Sequence, residues 1–216
     1  AKTCPSAPRA ESTHDNAYDI GTNTMHKMIH LQNISKQYAC TKRKELFSTI
    51  LGNETDNMHF GMWDGIDVRR AGSYALASNR LTEIMWKTAS DICIAHKTKA
   101  KTIKYIDLGA GTGASARLIC KNDSRVLATC LNISRQQNEE NRRTSDEAGL
   151  GAQIYVETGS FEKIPSKYAH QFDGCFSQDS FFHAHDKEQT FREAIGCTKG
   201  GGWMVFSDLM LGDVSD

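Results

Sequence analysis

The chain changes its hydrophobic rhythm near its middle. Before residue 100, apolar positions recur at helical steps: Leu81, Ile84, Met85, Thr88 and Ile92 place one apolar stripe on a helix of about 20 residues. After Lys101 the pattern becomes short apolar runs alternating with amphipathic stretches. These read TIKYIDLGA, a helix, RVLATCLNIS, a helix, AQIYVETGS, a connection, QFDGCFSQD, a helix, and GGWMVFSDLM. Such alternation predicts parallel strands joined by helical crossovers. Runs that are apolar along their whole length predict strands covered on both faces, hence an α/β, Rossmann-like, mostly parallel sheet flanked by helices. Residues 1–24, with Pro5, Pro8 and many small polar residues, read as a flexible arm; 25–98 read as a helical cap or lid, and 99–216 as the Rossmann-like core. Within the cap, NMHFGMWDG (57–65) is too glycine-broken for a helix and too aromatic for a plain linker.

In such a sheet, ligands bind beyond the carboxyl ends of the strands, where strand order reverses. CFSQDSFFHAHDK (175–187) begins apolar and then breaks into Ser177, Gln178 and Asp179, with His183 and His185 following. That polar cluster falls where a site belongs, and the apolar half of the run is core.

Composition narrows the classes. At 216 residues one good core suffices. Lys plus Arg (26) balance Asp plus Glu (26), leaving no basic stripe to neutralise phosphates, so nucleic acid is not expected as a partner. Seven cysteines, an odd number with no C-x-x-C pair, sit partly inside apolar runs and read as reduced core thiols in a cytoplasmic compartment. No run approaches the roughly 18 apolar residues of a membrane helix, and the N-terminus lacks a hydrophobic signal core, so no membrane contact is expected. The start at Ala1 leaves a removed targeting peptide or a trimmed chain open. The eight histidines form no H-x-x-x-H or H-E-x-x-H array, and no metal is expected.

YIDLGAGTGASARLI (105–119) reads as a strand, a turn with Gly109, Gly111 and Gly113, and a helix start. Glycines permit unusual dihedrals and close ligand approach, and a helix N-terminus presents free N–H groups to an anionic moiety. Gly109, Gly111 and Ala114 also satisfy G-x-G-x-x-G/A, so a nicotinamide or flavin cofactor fits this stretch as well. Asp107, two residues before the first glycine, is placed to attract an ammonium or order a water. At the end of the next strand, in CLNISRQQNEEN, Asn132 stands where a polar group would bond ribose hydroxyls, with Gln137 one turn into the following helix.

The string D-L-G-A-G-T-G resembles motif I of S-adenosylmethionine-dependent methyltransferases. With it, CLNIS and QNEEN, then GSFEKIP (159–165), then SQDSFFH (177–183), occur in consecutive order and resemble the sarcosine and dimethylglycine N-methyltransferases that make glycine betaine. The wider group includes the phosphoethanolamine methyltransferases, which share the Asp and His of the last motif. The similarity runs from about Glu54 to Met210. It implies S-adenosylmethionine as cofactor, S-adenosylhomocysteine as product and a small-molecule amine as acceptor. It places Asp107, Gly109, Ala110, Gly111 and Gly113 around the methionine part, Asn132, Ile133 and Gln137 at the ribose, Ser160 and Phe161 at the adenine, and Gln178 beside the sulfonium. Two departures stand out. Asn132 replaces the acid that generic methyltransferases carry, and members of the group continue past the fifth strand, whereas this sequence stops at Asp216. The last strand is therefore expected to be an exposed sheet edge, open to association with a partner or to a missing carboxyl-terminal segment.

Methyl transfer from a sulfonium is an in-line displacement, so alignment and exclusion of water carry the work. An amine acceptor must be neutral to attack. His183 is the expected base, with Asp179 four residues earlier as its partner if the segment turns helically. His185 precedes Asp186, which has the look of a helix N-cap, and reads as structural. Trp63 and Phe181 or Phe182 offer aromatic faces to a cation, and Tyr38, Arg69, Arg70 and Arg80 are cap residues suited to a carboxylate. Other acceptors (phosphoethanolamine, a thioether, an oxygen or carbon nucleophile), an inactive cofactor-binding subunit and a nicotinamide oxidoreductase are the competing readings.

Overall fold

The computed structural model describes residues 27–34, 36, 57, 59–95 and 102–209. The arm at 1–24, Tyr38, Cys4 and Cys40 lie outside the described residues. Five strands alternate with helices: β1 (Ile103–Leu108), β2 (Val126–Asn132), β3 (Ile154–Thr158), β4 (Phe172–Gln178) and β5 (Thr198–Ser207). They pair in parallel in the order β3-β2-β1-β4-β5. The helices are α1 (Ser73–Ala95), α2 (Ala114–Asn122), α3 (Arg135–Glu147) and α4 (Lys187–Cys197), and a helical segment spans 27–34. A single 3₁₀ turn, Ser166–Tyr168, marks the connection from β3 to β4.

Successive strand side chains point to opposite faces, which divides the core in two. Tyr105, Ala128, Cys130, Phe176 and Trp203 pack under α1 and α2, with Met85, Ala89 and Ile119. Ile106, Leu108, Leu131 and Cys175 pack on the other face with Phe181, Ala194 and Cys197. The buried face of α1 runs through Ala77, Ser78, Thr82, Met85 and Ala89, while Ile84 is 41% exposed and Thr88 is exposed. The stripe expected from hydrophobicity is thus rotated. Small residues win the core side because α1 lies close against α2 and β5.

Helix ends follow local chemistry. Ser134 caps α3 by accepting from Gln137 N–H at 3.4 Å, and Asp186 caps α4 by accepting from Gln189 N–H at 2.9 Å, as expected for Asp186. Cys120, Cys130, Cys175 and Cys197 are buried and Cys93 is half-buried, and none of these five is in a disulfide. No helix among the described residues is long and apolar enough to cross a membrane. Because β1 has β2 on one side and β4 on the other, the connections leaving β1 and β4 diverge. A crevice opens at their carboxyl ends, the switch point of the sheet.

Candidate active site

That crevice is a cleft with about 890 Å³ of empty space. Its floor is the turn after β1 (Gly109 to Thr112, and Ala114). One wall is Asn132 to Ser134 with Gln137 and Gly159 to Phe161, and the facing wall is Gln178 to Ser180 with His183. Leu31 and Ile34 of the helical segment, with Asn57 and His59 of the cap, complete it.

The turn is built on left-handed backbone. Gly109, Gly111 and Gly113 have φ of +85°, +55° and +79°. A Cβ on Gly109 would lie 2.5 Å from the Ser180 side chain, and one on Gly113 2.1 Å from Asn141 Oδ1. At Gly111 the nearest atom would be Gln137 Nε2, 3.9 Å away, so here the bare backbone faces open cleft. α2 starts immediately behind, adding the unpaired N–H groups of its first turn. Asp107 lies just below the turn, at the end of β1, and burial pushes its carboxyl up to about 7.

At the end of β2, Asn132 Nδ2 donates to Gln137 Oε1 at 3.1 Å and to Gly111 O at 3.4 Å, tying this wall to the floor. Asn138 Nδ2 holds the Asn132 carbonyl at 3.0 Å and Thr158 Oγ1 at 2.9 Å. Phe161 packs on Phe181 with centroids 5.5 Å apart. Next to it, fully buried Glu162 accepts from the backbone N–H groups of His185 and Asp186 and faces Lys27 Nζ at 2.8 Å. This pins the helical segment over the cleft, and His30 Nε2, 2.9 Å from His183 O, adds a second tie.

The facing wall is a polar relay. Gln178 Oε1 accepts from Thr82 Oγ1 at 2.8 Å and Ser115 Oγ at 2.9 Å. Its Nε2 is buried with no hydrogen-bond partner among the described residues, a donor waiting for an acceptor. Asp179 takes φ +48°, a strained value for a residue other than glycine. Its carboxylate accepts from Phe60 N–H at 2.8 Å and Ser207 Oγ at 2.6 Å. His59 lies between the walls, Nδ1 3.8 Å from Asp179 Oδ2 and Nε2 3.2 Å from Ser115 Oγ. Burial pushes its imidazole down to about 4 against the opposing pull of Asp179, so the ring is neutral near pH 7. Gly61 makes this docking feasible: a Cβ there would meet the Ala77 backbone at 2.7 Å, and Met62 N–H donates to Ala77 O at 2.9 Å.

Of the residues expected from sequence, Gly109, Ala110, Gly111, Asn132, Ile133, Gln137, Ser160, Phe161, Gln178, Asp179 and His183 line this one cleft. Asp107 and Gly113 sit directly behind it. Asp179 and His183 are not joined by one turn of α-helix; after left-handed Asp179 the chain makes a short 3₁₀ turn, Phe181–His183. Phe182 stacks on His183 with ring centroids 3.9 Å apart and does not line the cleft. Neither does Trp63, whose indole N–H donates to Phe60 O at 2.6 Å and whose ring packs near Tyr74. Arg69 pairs with Asp67, and Arg80 donates to Asp64 O, both away from the cleft lining, which contains no Lys or Arg among the described residues. Sequence reasoning missed His59, Ser115 and Thr82.

The residues present fit S-adenosylmethionine. The bare backbone at Gly111, the amide edge at Asn132 and Gln137, the apolar Phe161 face and the orphan Gln178 donor offer one complementary group to each part of that molecule.

Residues 106–206 match the methyltransferase domain family. The chain is 37% identical over 158 residues to the sarcosine/dimethylglycine N-methyltransferase of Aphanothece halophytica, covering 73% of this chain and 56% of that protein. It is 31% identical over 160 residues to the dimethylglycine N-methyltransferase of Parasynechococcus marenigrum, covering 74% and 56%. It thus spans little more than half the length of these relatives. A crystal structure from Galdieria sulphuraria, assigned as a sarcosine dimethylglycine methyltransferase, superposes with TM-score 0.66 at 30% identity, covering 79% of this chain and 59% of that one. The [4+2]-cyclase SpnF superposes with TM-score 0.69 at 19% identity, covering 82% and 59%, a likeness of fold alone. By its strand order and its matched domain, the chain carries the Rossmann-like fold of the class I methyltransferases, with the likeness to the methyltransferase domain family running over residues 106–206.

Proposed function

We propose that the protein transfers a methyl group from S-adenosylmethionine to the nitrogen of a small methylated glycine, sarcosine or dimethylglycine, on the way to glycine betaine. The observation that carries this reading is the pairing, across one cleft, of the three-glycine turn with the Gln178–Asp179 wall. Relatives at 31% and 37% identity bearing dimethylglycine N-methyltransferase names support the acceptor class.

When bound, S-adenosylmethionine supplies an electrophilic methyl carbon on a sulfonium. The chain's own work is alignment and exclusion of water. Asp107 and the backbone at Gly109 to Gly113 would hold the methionine end, Asn132, Ile133 and Gln137 the ribose, and Ser160 and Phe161 the adenine. Leu31 and Ile34, held down by the Lys27–Glu162 ion pair, keep solvent from the cleft. Asp179 and His183 border the acceptor end. Buried free cysteines support a reducing, cytoplasmic setting. β5 ends the sheet among the described residues, and its outer edge is where further chain or a partner strand would add.

The test is incubation with methyl-labelled S-adenosylmethionine and a panel of glycine, sarcosine, dimethylglycine, phosphoethanolamine and a thioether acid. Label should appear in sarcosine or dimethylglycine product. Label only in phosphoethanolamine or the thioether would sink the acceptor class.

A further inference from the structure

The helical segment 27–34 turns one face to the rest of the protein. Lys27, His30, Leu31 and Ile34 are half-buried, whereas Met28, Ile29, Gln32 and Asn33 are exposed, the i, i+3, i+4, i+7 spacing of a single helix face. Hydrophobicity alone would turn Met28 and Ile29 inward, yet they are 58% and 46% exposed, and Lys27 and His30 take the inner positions instead. Polar partners therefore set this orientation.

Along that face the contacts divide. Leu31 and Ile34 line the cleft. One turn earlier, Lys27 Nζ lies 2.8 Å from Glu162 Oε2, and His30 Nε2 donates to His183 O at 2.9 Å. The His30 ring also meets that of His185, with centroids 5.8 Å apart. Glu162 joins these parts. It directly follows Phe161, its side chain is wholly buried, and its Oε1 accepts from the backbone N–H of His185 and, at 3.0 Å, from that of Asp186.

Residues 180–186, which carry His183, are thus anchored differently at their two ends. Ser180 Oγ donates to Leu108 O at 2.8 Å, an anchor in the sheet itself. His183, His185 and Asp186 are tied instead to His30 and Glu162. A carboxylate taken out of water depends on its cation to keep both charge and place, so this second anchor is complete only while Lys27 is docked.

We propose that Glu162 is a positioning residue that couples cofactor loading to the shape of the acceptor end. A cofactor in the cleft gives Leu31 and Ile34 a surface to close on, Lys27 then completes the surroundings of the Glu162 carboxylate, and residues 183–186 are fixed. The differential contact that shifts this equilibrium is the one made by Leu31 and Ile34. His185 and Asp186 do not line the cleft, so the helical segment carries the effect to them. The functional consequence rests on the reading above, in which the acceptor sits against Asp179 and His183.

The experiment follows hydrogen exchange at the His185 and Asp186 amides with and without saturating S-adenosylhomocysteine, with the Cys130 amide of β2 reporting that ligand is bound and the fold stabilised. In the wild-type chain the ligand should slow exchange at 185 and 186 about tenfold. In Glu162→Gln, which keeps an oxygen for the two N–H groups but no charge for Lys27, the slowing should be less than about twofold, while Cys130 still responds. Lys27→Met should behave like Glu162→Gln, and decides the matter if the buried substitution fails to fold. Lys27→Arg, which keeps the cation, should restore the wild-type response. At saturating S-adenosylmethionine, Lys27→Met should also lose about tenfold in kcat/KM for sarcosine or dimethylglycine, mostly through KM. A Glu162 that merely caps α4 would lower the melting temperature and leave the ligand response at 185 and 186 intact. Equal slowing in wild type and Lys27→Met, or none in wild type, overturns the proposal. Because exchange is read without an acceptor, a chain that shows the coupled response yet methylates no amine overturns the acceptor reading alone.

Discussion

Two buried groups in the cleft pull stability in opposite directions as pH changes. Asp107 is raised from its ordinary 3.8 to about 7, so between those values the folded chain holds a proton that the unfolded chain has lost, and stability falls as pH rises. His59 is lowered from 6.5 to about 4, so between those values the unfolded chain holds the extra proton, and stability rises with pH. Each slope is about 1.4 kcal/mol per pH unit, and they nearly cancel from pH 4 to 6.5. Relative to wild type, denaturant melts of Asp107→Asn should show stability climbing with pH across that window, and melts of His59→Gln should show it declining. Parallel curves for all three proteins would refute the burial account. Asp107→Asn should also be the more stable protein at pH 7.5 while binding S-adenosylhomocysteine more weakly. At this scale, Asn132, Gln178 and Asp179 were legible because they sit where apolar runs end, and run ends can be read directly, whereas Gln137 and Phe161 lie beyond the run ends and were reached through the resemblance of their motifs. His59 was not. Its position depends on contacts 56 and 120 residues away, and the odd composition of NMHFGMWDG was its only local trace.

Among the elements, the strands and crossovers were legible because a strand buried on both faces must be apolar throughout. The face of α1 was not, because hydrophobicity selects Ile84 whereas close packing on β5 selects Ala77, Thr82 and Ala89. Met85, 5% exposed, is the large side chain on that face. Met85→Ala should cost about 2–4 kcal/mol in denaturant melts. The helical segment at 27–34 depends instead on Glu162, whose buried carboxylate would lose its cation in Lys27→Met. Stopped-flow release of S-adenosylhomocysteine should then be faster, by about tenfold if the ion pair contributes about 1.4 kcal/mol to closure. An unchanged release rate would show that Leu31 and Ile34 stay in place without the ion pair.

For the molecule as a whole, the cleft joins both halves of the sheet, so a ligand there should stabilise the entire fold. S-adenosylhomocysteine at 100 times its Kd should add about 2.7 kcal/mol and raise the melting temperature. Gly109→Val, whose side chain would invade Ser180, should melt at one temperature with or without it. The lining of the cleft also has two origins: the turn, Asn132, Phe161 and the Gln178–Asp179 wall come from the sheet's own connections, whereas His59 comes from a cap loop resting on α1. A sheet of this shape also serves a [4+2]-cyclase. Substitutions in that loop therefore reshape the side of the cleft that His59 lines and leave the backbone of the three-glycine turn in place.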